Sequence, residues 1–185
     1  MKTGIEIYDN VLSEEECNFL IENFDSDNRK VTGIFSNNKQ DFSKKKSIDL
    51  GCNFSNPAFI LYNNVILKNL DSCIKEFIST YPILSNIGTW GINTEYNIQK
   101  YNDGDGYYDL HCEHGKEFPK RILAWMIYLN DAISGTEYPY QDLTISPRTG
   151  RCVIWSSSWI HAHKGVTPNK GKKYIATGWM SFNDT

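Results

Sequence analysis

Apolar residues recur at helical intervals along the first half of the chain and at alternate positions along the second. Ser13 with Glu16 makes a capping box, and Cys17, Leu20, Ile21 and Phe24 then fall on one helical face. Asn56-Pro57 is a second start signal, because proline is pre-set for the first helical position. From there Ile60, Leu61, Leu67, Ile74, Phe77 and Ile78 keep an apolar stripe to about Thr80. Residues 25–56 between the two helices are polar and irregular, and predict one strand near 46–50 within either a plain surface loop or a mobile flap.

After Gly88 the period changes to two. Strands are predicted over 90–100, 107–113, 122–129, 141–146, 150–155 and 172–182, with the Gly-Asp-Gly of 104–106 as a turn. Many short strands separated by turns predict a β-sandwich or barrel-like jelly roll. Helices first and strands after predict an α+β domain in which the helices brace one sheet face. No composition break marks a linker, so a single domain over 1–185 is expected, with 1–87 mainly helical support and 88–185 the core.

Composition changes this picture mainly by exclusion. A net charge of -3 supplies no global field for nucleic acid or an anionic membrane. The one tight basic cluster, Lys44-Lys45-Lys46, reads as a solvated loop. Cys17, Cys52, Cys73, Cys112 and Cys152 are scattered and odd in number, which fits buried thiols in a reducing compartment and predicts a cytoplasmic protein. The start of the chain lacks an apolar signal core, and the apolar run 122–129 is too short to span a bilayer as a helix.

Candidate chemistry begins with His111 and Glu113. Two apart, they share a face on a strand, and a third ligand from a distant strand would complete a two-His-one-carboxylate triad that leaves metal positions open. Asp109 is a rival carboxylate on the same face, and the thiol of Cys112 with His114 raises a zinc site as an alternative. Downstream, His161 and His163 both offer imidazoles. The turn at 168–171 predicts a hairpin in which His163 and Lys173 face each other, an imidazole beside a fixed ammonium suited to a metal-bound ligand with a far carboxylate.

Five blocks, in order, resemble the prolyl 4-hydroxylase group of Fe(II)- and 2-oxoglutarate-dependent dioxygenases, especially its short microbial and viral members. EIYDNVLSEEECNFLI resembles the group's opening segment and helix. YNDGDGYYDLHCEHG resembles its Y-x-x-G-x-x-Y-x-x-H-x-D motif, and RILAWMIYLND its R-x-L-T-x-x-x-Y-L-N strand. SPRTGRCVIW resembles the strand leading to the last histidine, and His163, Gly165, Gly171 and Lys173 resemble the closing H-x-G, G-x-K pattern.

The resemblance implies a double-stranded β-helix (jelly-roll) core and an enzyme that binds Fe(II), 2-oxoglutarate and O2, with ascorbate dependence expected of the family. It implies His111, Glu113 and His163 as metal ligands, with His161 left to a supporting or surface role. Lys173 and Tyr128 would hold the remote carboxylate of 2-oxoglutarate, and Tyr101 would sit near its metal-proximal end. Trp179 is a candidate pocket wall; Arg121 is either a substrate contact or an exposed base beside Lys120. The expected substrate is a prolyl residue in a peptide or protein, with release of succinate and CO2. Alternatives are another side chain, a free amino acid, or a silent binding module. If the source is viral, the compartment is the host cytoplasm. The chain departs from the group at Glu113, where aspartate is usual, and lacks the arginine-rich closing motif of nucleic-acid demethylases.

Overall fold

The computed structural model describes residues 2–33, 40–168 and 170–183. Two helices lie in the first half. Helix α1 (Glu14–Ser26) begins at the capping box: the Ser13 hydroxyl accepts from Glu16 N–H at 3.1 Å, and the Glu16 carboxylate accepts from Ser13 N–H at 2.9 Å. Helix α2 (Ile60–Thr80) follows a single 3₁₀ turn whose entry is capped by the Asn56 side chain, which accepts from Ala58 N–H at 2.9 Å.

Among the described residues, ten strands follow the chain: β1 (Ile5–Tyr8), β2 (Val31–Thr32), β3 (Ile48–Asn53), β4 (Trp90–Tyr101), β5 (Arg121–Tyr128), β6 (Gly135–Tyr138), β7 (Leu143–Ile145), β8 (Cys152–Ser156), β9 (Lys164–Val166) and β10 (Lys173–Phe182). They form a seven-stranded antiparallel sheet, ordered β1-β8-β5-β10-β4-β3-β2, and a three-stranded one, β7-β6-β9. Alternation in the central strands separates two cores. Leu123, Trp125 and Ile127 of β5 point to the helices with Leu20, Phe24, Ile66, Leu70 and Phe77. Ala124, Met126 and Tyr128 point the other way, against Tyr138 and Ile145 of the small sheet. This is the jelly roll, with helices on one face of the large sheet and a cavity on the other.

Three expectations need correction. The first half is not only a helical support: β1, β2 and β3 belong to the large sheet, and the strand foreseen near 46–50 lies at Ile48–Asn53. Residues 107–113 form no continuous strand, because the backbone groups of 107–114 bond to three separate segments. Tyr108 N–H donates to Lys44 O, His111 exchanges bonds with His163, and His114 N–H donates to Ser157 O. The turn after 166 does not close a hairpin, since β9 pairs with β6 in one sheet while β10 pairs with β4 and β5 in the other. Of the candidate flap, residues 34–39 lie outside the described ones. Residues 44–46 are tied down: Lys45 is buried against Asp49 at 2.7 Å, and Lys46 and Lys44 meet Asp105 and Asp109 at 2.9 and 3.6 Å.

Where β10 pairs with β5, Gly178 stands opposite Trp125, and the indole can lie over position 178 because that residue has no side chain. A Cβ on Gly178 would stand 2.6 Å from the Trp125 ring, and Trp125 is fully buried. Gly178→Ala is therefore expected to destabilise the protein by about 1–3 kcal/mol through overpacking, seen as a lower urea midpoint. An unchanged midpoint would show that the indole has room to give.

Candidate active site

Three side chains meet at the mouth of the small sheet. His111 and His163 lie on separate loops joined by a two-bond antiparallel bridge, His111 N–H to His163 O at 3.0 Å and His163 N–H to His111 O at 2.8 Å. The ligand atoms of His111, Glu113 and His163 all lie within 4.8 Å of one another. The Glu113 Oε1 is 3.7 Å from His111 Nε2 and 3.5 Å from His163 Nε2. Atoms sharing an ion through bonds of about 2.1 Å stand roughly 3–3.5 Å apart, so the spacing suits a single metal.

The imidazoles are oriented for that task. His111 Nδ1 donates to Asp109 O at 2.9 Å and His163 Nδ1 to His161 O at 3.0 Å, which leaves each Nε2 as a lone pair facing the carboxylate. The Tyr107 ring stacks on His111 at 3.7 Å, and Trp155 meets His163 edge-on at 5.1 Å. Burial, reinforced by the neighbouring His163, pushes His111 down to about 4, so its ring is neutral at pH 7. Burial alone would raise Glu113, but the contacts with His163, His111 and Trp179 outweigh it and hold the carboxyl at about 2. Two imidazoles and one carboxylate form the donor set an Fe(II) ion accepts with coordination positions to spare.

The second carboxylate oxygen is occupied by protein. Trp179 Nε1 donates to Glu113 Oε2 at 2.7 Å, and Arg121 Nη1 approaches the same atom at 3.6 Å. Trp179 was expected as a pocket wall; its indole N–H also holds the Glu113 carboxylate. Arg121 is half-buried rather than exposed, its guanidinium 3.6 Å from the Phe118 ring centre and 3.7 Å from that of Trp179. Burial pushes it down to about 10, opposed by the charges of Glu113 and Glu95. With Oε2 held, Glu113 has Oε1 alone to offer an ion.

A cavity of about 850 Å³ opens from this centre across the inner face of the large sheet. Lys173 is one of its lining residues, 3 % exposed, and makes no hydrogen bond or ion pair with any described residue. Its ammonium lies 4.7 Å from the Tyr101 ring centre, and burial pushes it down to about 8. Gly165 packs above it; a Cβ there would come within 3.8 Å of Nζ. Tyr101, expected near the metal-proximal end of the co-substrate, lies against Lys173 and Gln99, its hydroxyl donating to Gln99 Oε1 at 2.8 Å. Tyr128 does not line the cavity: its hydroxyl is engaged by Thr136 Oγ1 at 2.7 Å and Ile145 O at 3.3 Å, and it is Thr136 that faces the space.

The rival ligands lie apart. The Asp109 carboxylate is at Lys44, His161 Nε2 donates to Thr3 O at 2.8 Å, and the Cys112 thiol contacts His114 O while His114 Nδ1 donates to Arg121 O. His161 is buried, and its contribution is the carbonyl that orients His163. A polar network at the Lys173 end went unforeseen. Asp49 gathers Lys45 at 2.7 Å, Ser47 at 2.7 Å and Gln99 at 3.2 Å, and Gln99 in turn takes Tyr101. Its signal in the sequence is faint: Ser47 and Asp49 are the inward polar positions of a strand whose intervening residues are apolar.

Residues 96–181 match the family model of the 2OG-Fe(II) oxygenase superfamily. A probable prolyl 4-hydroxylase of Arabidopsis thaliana is 25% identical over 118 residues, 48% of this chain but only 41% of that relative's length. Among solved structures, a viral collagen prolyl hydroxylase of Paramecium bursaria Chlorella virus-1 aligns with a TM-score of 0.68 at 18% identity, covering 98% of this chain and 97% of its own. A Trichoplax adhaerens prolyl hydroxylase, solved with a hypoxia-inducible-factor peptide, gives 0.74 at 19% over 96% and 83%. A Pseudomonas putida prolyl 4-hydroxylase gives 0.70 at 16% over 98% and 94%. At these identities the structural likeness establishes the fold.

Two outcomes follow from the geometry. Trp179→Phe keeps the ring and removes the donor to Glu113, so affinity for a divalent metal should fall about 10–100-fold, measured by competition with a chelating dye; unchanged affinity would mean the indole N–H does not aim the carboxylate. Lys173→Met relieves a buried cation without a partner, and the melting temperature at pH 7 should rise by about 3 °C or more. The sign follows from the folded value of about 8 lying below the ordinary 10.5. The unfolded chain then binds more protons between those values, so folding of the wild type strengthens as pH rises through that window. A lower melting temperature for Lys173→Met would contradict this account.

Proposed function

Because the chain is prolyl 4-hydroxylase-like in fold and in the motif that carries its metal-ligand candidates, we propose that it is an Fe(II)- and 2-oxoglutarate-dependent dioxygenase that hydroxylates a prolyl residue in a peptide or protein. The observation that carries this reading is the division of labour at Glu113: one oxygen faces both imidazoles while Trp179 occupies the other. When bound, iron with 2-oxoglutarate and O2 supplies an oxidant able to break an unactivated C–H bond, with succinate and CO2 released.

The protein's own part is to bind, orient and exclude water. His111, Glu113 and His163 hold the ion, their second atoms fixed by Asp109 O, Trp179 and His161 O. Lys173 is the charge for the remote carboxylate of the co-substrate. A buried ammonium that lacks an anionic partner costs stability until a dianion arrives, which makes co-substrate binding favourable at that end. Tyr101 walls the same end, and Thr136, which bonds the Tyr128 hydroxyl and lines the cavity, is the hydroxyl offered to the co-substrate in place of Tyr128. The aromatic rings of Tyr107, Tyr138 and Trp155 around the imidazoles keep the centre dry. Ascorbate belongs to this proposal as the reductant that restores Fe(II).

The test is aerobic turnover of the Fe(II)-loaded protein with 2-oxoglutarate and a panel of proline-containing peptides. Succinate and peptide that has gained one oxygen atom at proline are expected in equal amounts. Succinate formed only with a free amino acid, or none with any substrate, would contradict it. Affinity for 2-oxoglutarate should also weaken above about pH 8. Free Lys173 loses its proton there, whereas the bound dianion retains it, so Kd should rise up to about tenfold per pH unit. Calorimetry at pH 7 and pH 8.5 checks this, and a flat profile would remove Lys173 from the co-substrate site.

A further inference from the structure

The cavity lies toward the upper end of the roughly 300–1,000 Å³ usual for small-molecule sites, and Lys173 occupies only its closed end. The rest is an open shelf on the outer parts of β3, β4 and β10. Gly51 pairs with Asn97, Asn53 with Glu95, and Asn97 with Thr177 across the sheet, all of them lining the cavity. The register that sets Gly178 opposite Tyr96 carries Trp179 to the level of Glu95, where the ladder shifts before Met180. Neighbours at one level stand about 5 Å apart. Glu95 is thus one strand away from the indole that grips Glu113.

Glu95 is exposed and makes no hydrogen bond or ion pair with any described residue, and the Asn97 side chain likewise makes no hydrogen bond with one. Arg121 feels the charge of Glu95 but is held by Glu113 and by its two rings. Lys116 and Glu117, which also line the cavity, carry opposite signs and offset each other, so Glu95 is the exposed carboxylate of the shelf that no described ion pair engages. Gly51 leaves the sheet-edge side open: a Cβ there would meet nothing nearer than Asn97 Oδ1 at 3.9 Å.

We infer that Glu95 and Asn97 form a substrate-selecting subsite for a basic peptide, the carboxylate receiving a lysine or arginine and the amide pairing with the peptide backbone. The inference rests on the reading of the protein as a peptide hydroxylase. One strand spacing plus the width of an indole, roughly 10 Å, is spanned by about three extended residues at about 3.3 Å each. The basic residue therefore lies within about three positions of the hydroxylated one. Glu95 acts here through charge on an accessible rim, so its influence is modest and screened by salt.

The experiment measures fluorescence anisotropy of labelled proline peptides on the metal-loaded protein with 2-oxoglutarate under anaerobic conditions, paired with aerobic hydroxylation of the same peptides. The flanking residue is Lys, Gln or Glu at one to three positions on either side. The Lys peptide should bind about fivefold tighter than the Gln peptide and about tenfold or more tighter than the Glu peptide, with the differences shrinking in 0.5 M NaCl, a concentration at which the Debye length is only about 4 Å. Glu95→Gln should erase the preference and Glu95→Lys should invert it, an inversion that misfolding cannot produce. Hydroxylation of all three peptides with equal affinity would overturn the subsite and leave the hydroxylase reading standing. No binding and no hydroxylation of any peptide, with 2-oxoglutarate still bound, would overturn both.

Discussion

Two backbone hydrogen bonds between His111 and His163 are the constraint on which the centre depends. Neither histidine lies within a named strand, yet each N–H donates to the other's carbonyl, and this fixes two loops side by side at one level. Glu113, two residues on, then has both imidazoles within reach of one oxygen. The cost of burying a carboxylate is met by the indole of Trp179 and by Arg121 on its other oxygen. The centre is thus assembled from main-chain pairing first and side-chain polarity second.

The two cores of the large sheet serve different ends. The face covered by the helices is apolar and densely filled, with Trp125, Ile66 and Leu70 fully buried. The inner face keeps a cavity and spends its polar residues at defined places: Asp49, Gln99 and Tyr101 at the closed end, Glu113 and Trp179 at the metal end, Glu95 and Asn97 on the shelf. The Glu113 carboxylate faces both imidazoles with one oxygen and takes the indole N–H with the other.

The helices were legible because their caps and apolar spacing are local. Ser13 with Glu16 and Asn56 with Pro57 do in the structure what such residues do in isolation. The strands of the second half were legible through alternation, and the metal-ligand candidates through the two-residue spacing joined to a distant histidine. What escaped depended on sheet assignment. The turn after Val166 reads as a hairpin, but β9 and β10 join different sheets, so Lys173 reaches the cavity from a sheet other than the one that carries β9. The burial of Lys45 and the partial burial of Arg121 were hidden because a basic residue looks solvated until the fold covers it, Lys45 against Asp49 four residues on and Arg121 between two aromatic rings. Tyr128 was expected to contact the co-substrate carboxylate, while its hydroxyl meets Thr136, a partner on a strand whose pairing no spacing reveals.

The measurement that tests the central claim most directly is an anaerobic titration of the metal-free protein with Fe(II) and 2-oxoglutarate, following the visible metal-to-ligand charge-transfer band. The account predicts a band in the wild-type protein and in His161→Ala, and none in His111→Ala, Glu113→Ala or His163→Ala. A band that survives loss of Glu113 or His163, or one that never forms in the wild type, would contradict it.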